Sequence, residues 1–290
     1  MMWERVKDFF SCNSFLNFSP SIGSNTSDSS EEDYRTIFSR NSPGVAELFL
    51  LNTKNSAHEL RPRIISSGLR GSMVLNRRRS YAQEDIARLP KILDVDVRLD
   101  VAIKARRSQR KFIGKKIDLD LISTVLYYAS GITGKVKSPW GSMGLEAHPS
   151  AGALYPITLY LVSLNAKHLG HQVYRYDQLK HMLIRTKDYD LSRLLEVFID
   201  PEDIWVDRAC FLLVFVADIW KTMRKYGDRG LRYVFIECGE IAENVHFVAQ
   251  SLGLGSVDIG GFFDKKLEDL LGIDGLLSCA VHSIAIGVTR

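Results

Sequence analysis

The run RGLRYVFIECGEIAENVHFVAQSL, residues 229–252, decides the fold. Leu231, Val234, Phe235, Cys238, Ile241, Ala242, Val245, Val248, Ala249 and Leu252 recur at helical spacing, so the run predicts one long helix with a buried stripe. Gly253 closes it, because glycine takes the left-handed conformation of a helix end without steric cost. Shortly before it, ACFLLVFVA at 209–217 is unbroken in its apolar character and has strand length, which predicts a central strand covered on both faces. A long helix beside such a strand calls for an α+β architecture with helices flanking a central sheet.

Further elements fall into place around this pair. Strands are predicted for 157–164 after Pro156, for 257–259 and for 279–288, with a hairpin of 172–176 and 182–186 around Asp177. Asp118 is placed to cap a helix whose stripe is Leu119, Ile122, Leu126, Ala129 and Ile132; shorter helices are expected at 191–198 and 265–271. Regular periodicity begins after Leu99. The chain therefore reads as an N-terminal accessory region, 1–94, and a second domain, 95–290. Within the first, 3–17 is weakly amphipathic and Ser19 to Asp33 is too poor in apolar residues to order itself, a flexible joint. Short helices are expected at 47–51 and at 83–89, the latter stopped by Pro90; Arg77, Arg78 and Arg79 between them fit a solvated loop.

The totals narrow the function classes. With 290 residues, 46% of them hydrophobic, the chain can bury a core of ordinary enzyme size. A net charge of +4, spread along the chain, does not mark a nucleic-acid partner. Cys12, Cys210, Cys238 and Cys279 show no metal-ligand spacing and the seven histidines no paired pattern, so no metal site is expected and the thiols read as reduced. Charges occupy the start where a signal peptide would be apolar, and no apolar stretch approaches bilayer length. A cytoplasmic protein without a membrane partner is expected.

Three clusters carry chemistry. Arg106, Arg107, Ser108 and Arg110 set permanent charges and a hydroxyl within five residues, suited to a phosphate; taken alone they fit an exposed basic turn better. His148 is followed by PSAGALYP, 149–156, whose small residues let a backbone approach a flat ligand; a plain turn is the alternative, but Ser-Ala-Gly-Ala is too small and apolar for a typical solvated loop. Gly260 and Gly261 follow a strand and can expose amides to an anion. Lys225 and Tyr226 stand between the central strand and the long helix, where a solvated helix end would also account for them. Trp140 and Met143 suit either a substrate roof or the core, and Glu240 and His246 either a surface or a site.

In order and spacing, these clusters, with Ile241-Ala242-Glu243-Asn244 and Gly253-Leu254-Gly255 between them, resemble the FMN-dependent nitroreductase superfamily. PSAGALYP is similar to the SagB-type azoline dehydrogenases, which are encoded beside thiazole/oxazole-modified peptide precursors, and Leu51 to Lys54 echo an N-terminal motif of that group. The resemblance implies a nitroreductase-like fold with FMN at a homodimer interface. It implies that Arg106, Arg107, Ser108 and Arg110 hold the FMN phosphate with Gly260, Gly261 and Arg290 in support, and that Pro149, Ser150, Ala151 and Gly152 lie against the flavin ring with Asn244 at its edge. Lys225 becomes the base and Tyr226 its relay in oxidising thiazolines or oxazolines to thiazoles or oxazoles, a reaction that removes one ring hydrogen as a proton and one as hydride. Oxygen would reoxidise the flavin. The implied partners are a YcaO-type cyclodehydratase, its precursor-binding companion and the azoline-containing precursor peptide, with residues 1–94 as docking region. Two other functions remain open: an NAD(P)H-dependent nitro or quinone reductase, which has no need of Lys225, and a non-catalytic scaffold of a peptide-modifying complex.

Overall fold

The computed structural model describes residues 45–54, 85–138, 141–199 and 203–290. The chain divides into two units, Met1–Phe49 and Leu50–Arg290. Trp140, Cys12, the arginine triple and the Ser-rich segment lie outside the described residues.

The described elements are α1 (Val45–Asn52), β1 (Ile86–Arg88), α2 (Leu99–Ala105), α3 (Leu119–Ser130), β2 (Ile132–Ser138), β3 (Gly141–Glu146), β4 (Ile157–Ser163), β5 (Gln172–Asp177), β6 (Met182–Asp188), α4 (Leu191–Leu195), β7 (Phe211–Ala217), α5 (Ile219–Tyr226), α6 (Gly230–Ser251), β8 (Gly255–Ile259), α7 (Asp264–Leu271) and β9 (Cys279–Gly287). Seven strands form one sheet in the order β1-β6-β5-β4-β7-β9-β8. Its named strands pair antiparallel, and an isolated parallel bridge from Ser108 to Ser256 makes the edge at β8 mixed.

β7 is buried along its whole length because the two faces of the sheet are both covered. Phe211, Leu213 and Phe215 point into a core with Ile122 and Leu126 of α3 and Val234, Ile241 and Val245 of α6. Leu212, Val214 and Val216 point into a second core with Leu194 after α4's start and Leu267 and Leu271 of α7. Each such side chain contributes about 1.5–3 kcal/mol by leaving water, so β7 with its two helical layers is the mechanical centre on which the loops at either end are mounted.

Two local expectations change. The helix expected at 83–89 does not form in its described part, 85–89: Ile86–Arg88 pairs with Met182–Ile184 as the edge strand β1, since partners in the sheet outweigh a short local propensity. Asp118 stands at the N-cap of α3, but its side chain makes no capping bond there and instead pairs with Lys167 at 2.9 Å. A hairpin of β2 and β3 also lies between α3 and the PSAGALYP loop, where sparse apolar alternation gave no strand signal. Leu50 and Thr53 are held by α6 and the residue before it: Arg229 Nη1 donates to Thr53 O (2.8 Å), Arg232 Nε to Thr53 Oγ1 (2.7 Å) and Arg232 Nη2 to Leu50 O (3.2 Å).

Candidate functional site

The charged and small-residue clusters come together at the two ends of the sheet. At one end, α2 stops where the Arg106 amide bonds Ala102 O (3.0 Å), and the chain turns onto β8, with Gln109 N donating to Ser256 O (3.0 Å) and Trp205 N to Arg110 O (3.0 Å). Arg107 folds back onto its own backbone, donating to Lys104 O and Arg106 O (2.9 and 2.6 Å). Arg106 and Arg110 enter no ion pair among the described residues. A Cβ on Gly255 would come within 2.8 Å of Gln109 Cβ and would also strike Thr289 Cγ2, so the basic turn and the segment ending at Arg290 converge on the start of β8.

At the other end lies the PSAGALYP loop, just before β4. Gly152, Ala153 and Tyr155 all have positive φ, +64°, +52° and +46°, a strained run that surrounding bonds must hold. The holding group is Glu237 of α6. Its carboxylate accepts a hydrogen bond from Ser150 Oγ (2.5 Å) and lies 3.2 Å from His148 Nε2; Ser150 Oγ in turn accepts from Tyr155 N (2.9 Å). Glu237 and His148 are both 2% exposed. Lys225 and Tyr226, at the end of α5, close over this loop. A Cβ on Gly152 would run into Lys225 Nζ and would come within 2.6 Å of the Tyr226 hydroxyl, so only glycine leaves both polar atoms room to face the loop. Lys225 Nζ also lies 5.3 Å from the Tyr226 ring centre, and Tyr226 packs edge-on against Tyr233 of α6. A hollow of about 290 Å³, lined by Pro149, Ser150, Ala151, Tyr233, Ile236, Glu237 and Glu240, opens beside the loop.

Strand register fixes the distance between the two ends. Ile157, next to the loop, pairs with Ala217, whereas Ser163 pairs with Phe211, Phe211 with Ile286 and Ile286 with Ser256 beside the basic turn. The loop and the turn of one chain are thus about 20 Å apart along the strands, beyond the reach of a single ribityl chain. Gly260 and Gly261 are not brought to the basic turn either: they follow the far end of β8, about 13 Å from Ser256 along the strand. Asn244 is half-buried and lines neither hollow; Met143 is half-buried on β3 opposite Val136.

Between the turn and the two glycines, a cavity of about 440 Å³ lies against α6, β8 and β9. His246, expected at a surface or a site, is buried there (4% exposed). Its Nδ1 meets Ser256 Oγ at 2.8 Å and its Nε2 meets Asp258 Oδ2 at 3.0 Å, while His282 Nε2 meets Asp258 Oδ1 at 2.7 Å. Burial alone would raise the Asp258 carboxyl, but the hydrogen bonds and charge of the two imidazoles hold it well below the usual carboxylate range. Sequence reading missed Glu237, His246 and His282 as a group. The available signal was a Glu and a His at 237 and 246, in the stripe of Val234, Cys238, Ile241 and Val245, where an ionisable group is tolerated only with partners.

A second buried acid supports the loop. Ser130 Oγ donates to Glu146 Oε2 (2.7 Å), and Glu146 lies 3.9 Å from His148. Burial pushes its carboxyl up from 4.5 to about 7, against the lowering effect of Ser130 and His148. The unfolded chain gives up this proton near pH 4.5 and the folded one near 7, so the stability is whole below pH 4.5 and is lost as pH rises through 7. The loss amounts to about 3 kcal/mol. Glu146→Gln should flatten this dependence and be more stable than wild type at pH 8 but not at pH 4, as read from urea melts at the two values.

The nitroreductase family profile matches residues 103–287. The chain belongs to the nitroreductase family. A protein of Methanocaldococcus jannaschii named as a putative nitroreductase is 34% identical over 185 residues, 64% of this chain and 88% of that protein. The microcin B17-processing protein McbC of Escherichia coli is 26% identical over 151 residues, 51% of this chain and 53% of McbC. This chain thus spans about half the length of that relative. Among solved structures, the Escherichia coli microcin synthetase McbBCD complex with truncated pro-MccB17 contains a chain of the same fold, at TM-score 0.53 and 20% identity, covering 84% of this chain and 86% of that one. As a nitroreductase-family member the protein is an oxidoreductase with a sheet flanked by helices. No helix among the described residues is long and apolar enough to cross a membrane, and no group of three or more His, Cys, Asp or Glu among them could hold a metal ion.

Proposed function

We propose that this nitroreductase-family protein is an FMN-dependent dehydrogenase that oxidises thiazoline or oxazoline rings of a ribosomal precursor peptide to thiazoles or oxazoles. The observation that carries the reading is the convergence of Lys225 Nζ and Tyr226 OH on Gly152. A reductase that only passes hydride needs no paired amine and phenol over the flavin-facing loop, whereas aromatising an azoline needs a base. Similarity to McbC supports the same substrate class, and the McbBCD complex supports a cyclodehydratase, its precursor-binding companion and a precursor peptide as partners. Residues 1–94 are the proposed docking region.

The residues fit an FMN. Arg106 and Arg110, with no ion-pair partner among the described residues, can grip its phosphate, with Ser108 and Arg290 alongside, while Arg107 is partly spent on backbone carbonyls. The cavity that begins two residues along β8 from Ser256 has room for a flat ring. Pro149 to Gly152 would then face the ring from a second copy of the chain, since the loop of the same chain is at the other end of the sheet.

Bound FMN supplies the hydride acceptor. The protein's part is to hold the azoline against Gly152, where Lys225 Nζ takes the ring proton as the hydride leaves, and Tyr226 OH keeps the amine in line. Ser150 and Glu237 brace the loop, and Tyr233 and Ile236 give the neighbouring hollow an apolar wall. The test is aerobic incubation of FMN-loaded protein with an azoline-containing peptide and no nicotinamide, followed by mass spectrometry. Loss of two hydrogens per ring is expected. An unchanged peptide, with rapid flavin reduction by NAD(P)H, would establish the nitro or quinone reductase instead; a protein that takes up no FMN would be the scaffold.

A further inference from the structure

Asp258 is held on both sides. His246 is buried and has both ring nitrogens engaged, one by Ser256 Oγ and one by Asp258 Oδ2; His282 fixes the other carboxylate oxygen through Nε2. The ring of His282 is itself set by an edge-on contact with Phe215 of the central strand. A carboxylate locked in this way cannot rotate away from the cavity it lines, and each oxygen keeps a lone pair beyond the one its histidine uses. Apart from Glu243 and the histidines themselves, the walls around it are apolar or small: Phe235, Cys238, Gly239, Ala242 and Val281. At the other end of the same strand stands the basic turn, bonded to Ser256 two positions away, about 7 Å along β8. An anion grip, a partly apolar cavity and a preorientated acceptor thus lie in one line along the edge strand.

That line fits a planar heterocycle with a phosphate tail and an N–H on its ring. We propose that Asp258 is the polar contact for the ring end of this ligand: it accepts a hydrogen bond from a ring N–H, and its fixed negative charge disfavours the reduced, anionic ring. The inference rests on the FMN reading above and adds to it a specificity residue and a redox-tuning role. Ser256 and the two histidines act through Asp258 and are positioning residues.

The test uses the full chain freed of flavin and titrated with FMN and with riboflavin, followed by flavin fluorescence, with the midpoint potential of the FMN-loaded form measured by dye equilibration. Asp258→Asn keeps the shape and removes the charge. It should weaken FMN binding about tenfold, as expected for loss of a hydrogen bond to a charged group. It should also shift the redox equilibrium about tenfold toward the reduced flavin, ~30 mV upward for a two-electron couple. His282→Gln, which leaves the carboxylate in place but frees one oxygen, should give a smaller change of the same sign in affinity. A thermal melt of each variant separates local effects from misfolding. FMN bound by Asp258→Asn with wild-type affinity and potential overturns the proposal while leaving the cofactor reading intact; a wild-type protein that binds neither flavin overturns the cofactor reading itself. Equal loss of FMN and riboflavin affinity in Asp258→Asn supports a ring contact, and loss confined to FMN, with the potential unchanged, would move the contact to the phosphate and also overturn the proposal.

Discussion

Lys225→Ala is expected to cut azoline oxidation by about 10²–10⁴-fold, the range that a positioned acid–base group contributes. FMN affinity should stay at the wild-type value, because Lys225 lies at the end of the sheet opposite the basic turn. The rate is read by mass spectrometry as loss of two hydrogens per ring, and the affinity by flavin fluorescence. Tyr226→Phe, which keeps the ring packed on Tyr233 and removes only the hydroxyl at Gly152, should lose less. The 20 Å register separation adds a second, sharper expectation: a site shared between two copies can be rebuilt from two inactive parents. A Lys225→Ala chain mixed and refolded with an Arg106→Ala, Arg110→Ala chain should regain turnover that neither shows alone. Turnover by Lys225→Ala within twofold of wild type would remove Lys225 as the base.

The parts of this arrangement that were readable from the residues are those where one local rule acts alone. The stripe from Leu231 to Leu252 gave α6 within a residue at each end, and the apolar run at 209–217 gave β7, because a helix period and a doubly covered strand leave direct marks. The PSAGALYP loop and the Lys225–Tyr226 pair were identified as separate features, and the structure brings them into contact. What sequence could not provide was the distance across the sheet. The order of clusters along the chain placed the loop, the basic turn and Gly260-Gly261 around one ligand; strand register sets them at separate points along the sheet. The partners of Glu237 and His246 were illegible for a related reason. A polar residue within an apolar stripe shows only that a partner must exist, and the partners, Ser150, His148 and Asp258, come from elements up to 89 residues away.

Glu237→Ala should be the most destabilising single change at this end of the molecule. The carboxylate is 2% exposed and satisfies Ser150 Oγ and His148 Nε2 together. His148 already has Nδ1 buried without a partner, so removing Glu237 leaves it with Glu146 at 3.9 Å as its nearest remaining acid. Removing the shared acceptor leaves Ser150 Oγ and His148 Nε2 desolvated without it, at about 1–3 kcal/mol each and so about 3–5 kcal/mol together. For a domain of this size that lowers the melting temperature by about 10 °C. In urea the midpoint should fall with the slope unchanged, as for a lost interaction rather than a loosened fold. Glu237→Gln keeps an acceptor for Ser150 and should recover most of the loss. The catalytic consequence follows from the backbone: with Ser150 Oγ released from Glu237, the positive-φ run at Gly152, Ala153 and Tyr155 loses its buried anchor on α6 and keeps only bonds such as Ala153 N to Ser150 O and Lys221 Nζ to Tyr155 O, so the loop can relax away from Lys225 and Tyr226. Turnover of Glu237→Ala should therefore fall even at temperatures where the protein is fully folded, with FMN affinity less affected than the rate. An alanine variant that melts within 1 °C of wild type would show that the Glu237 pair does not hold this loop.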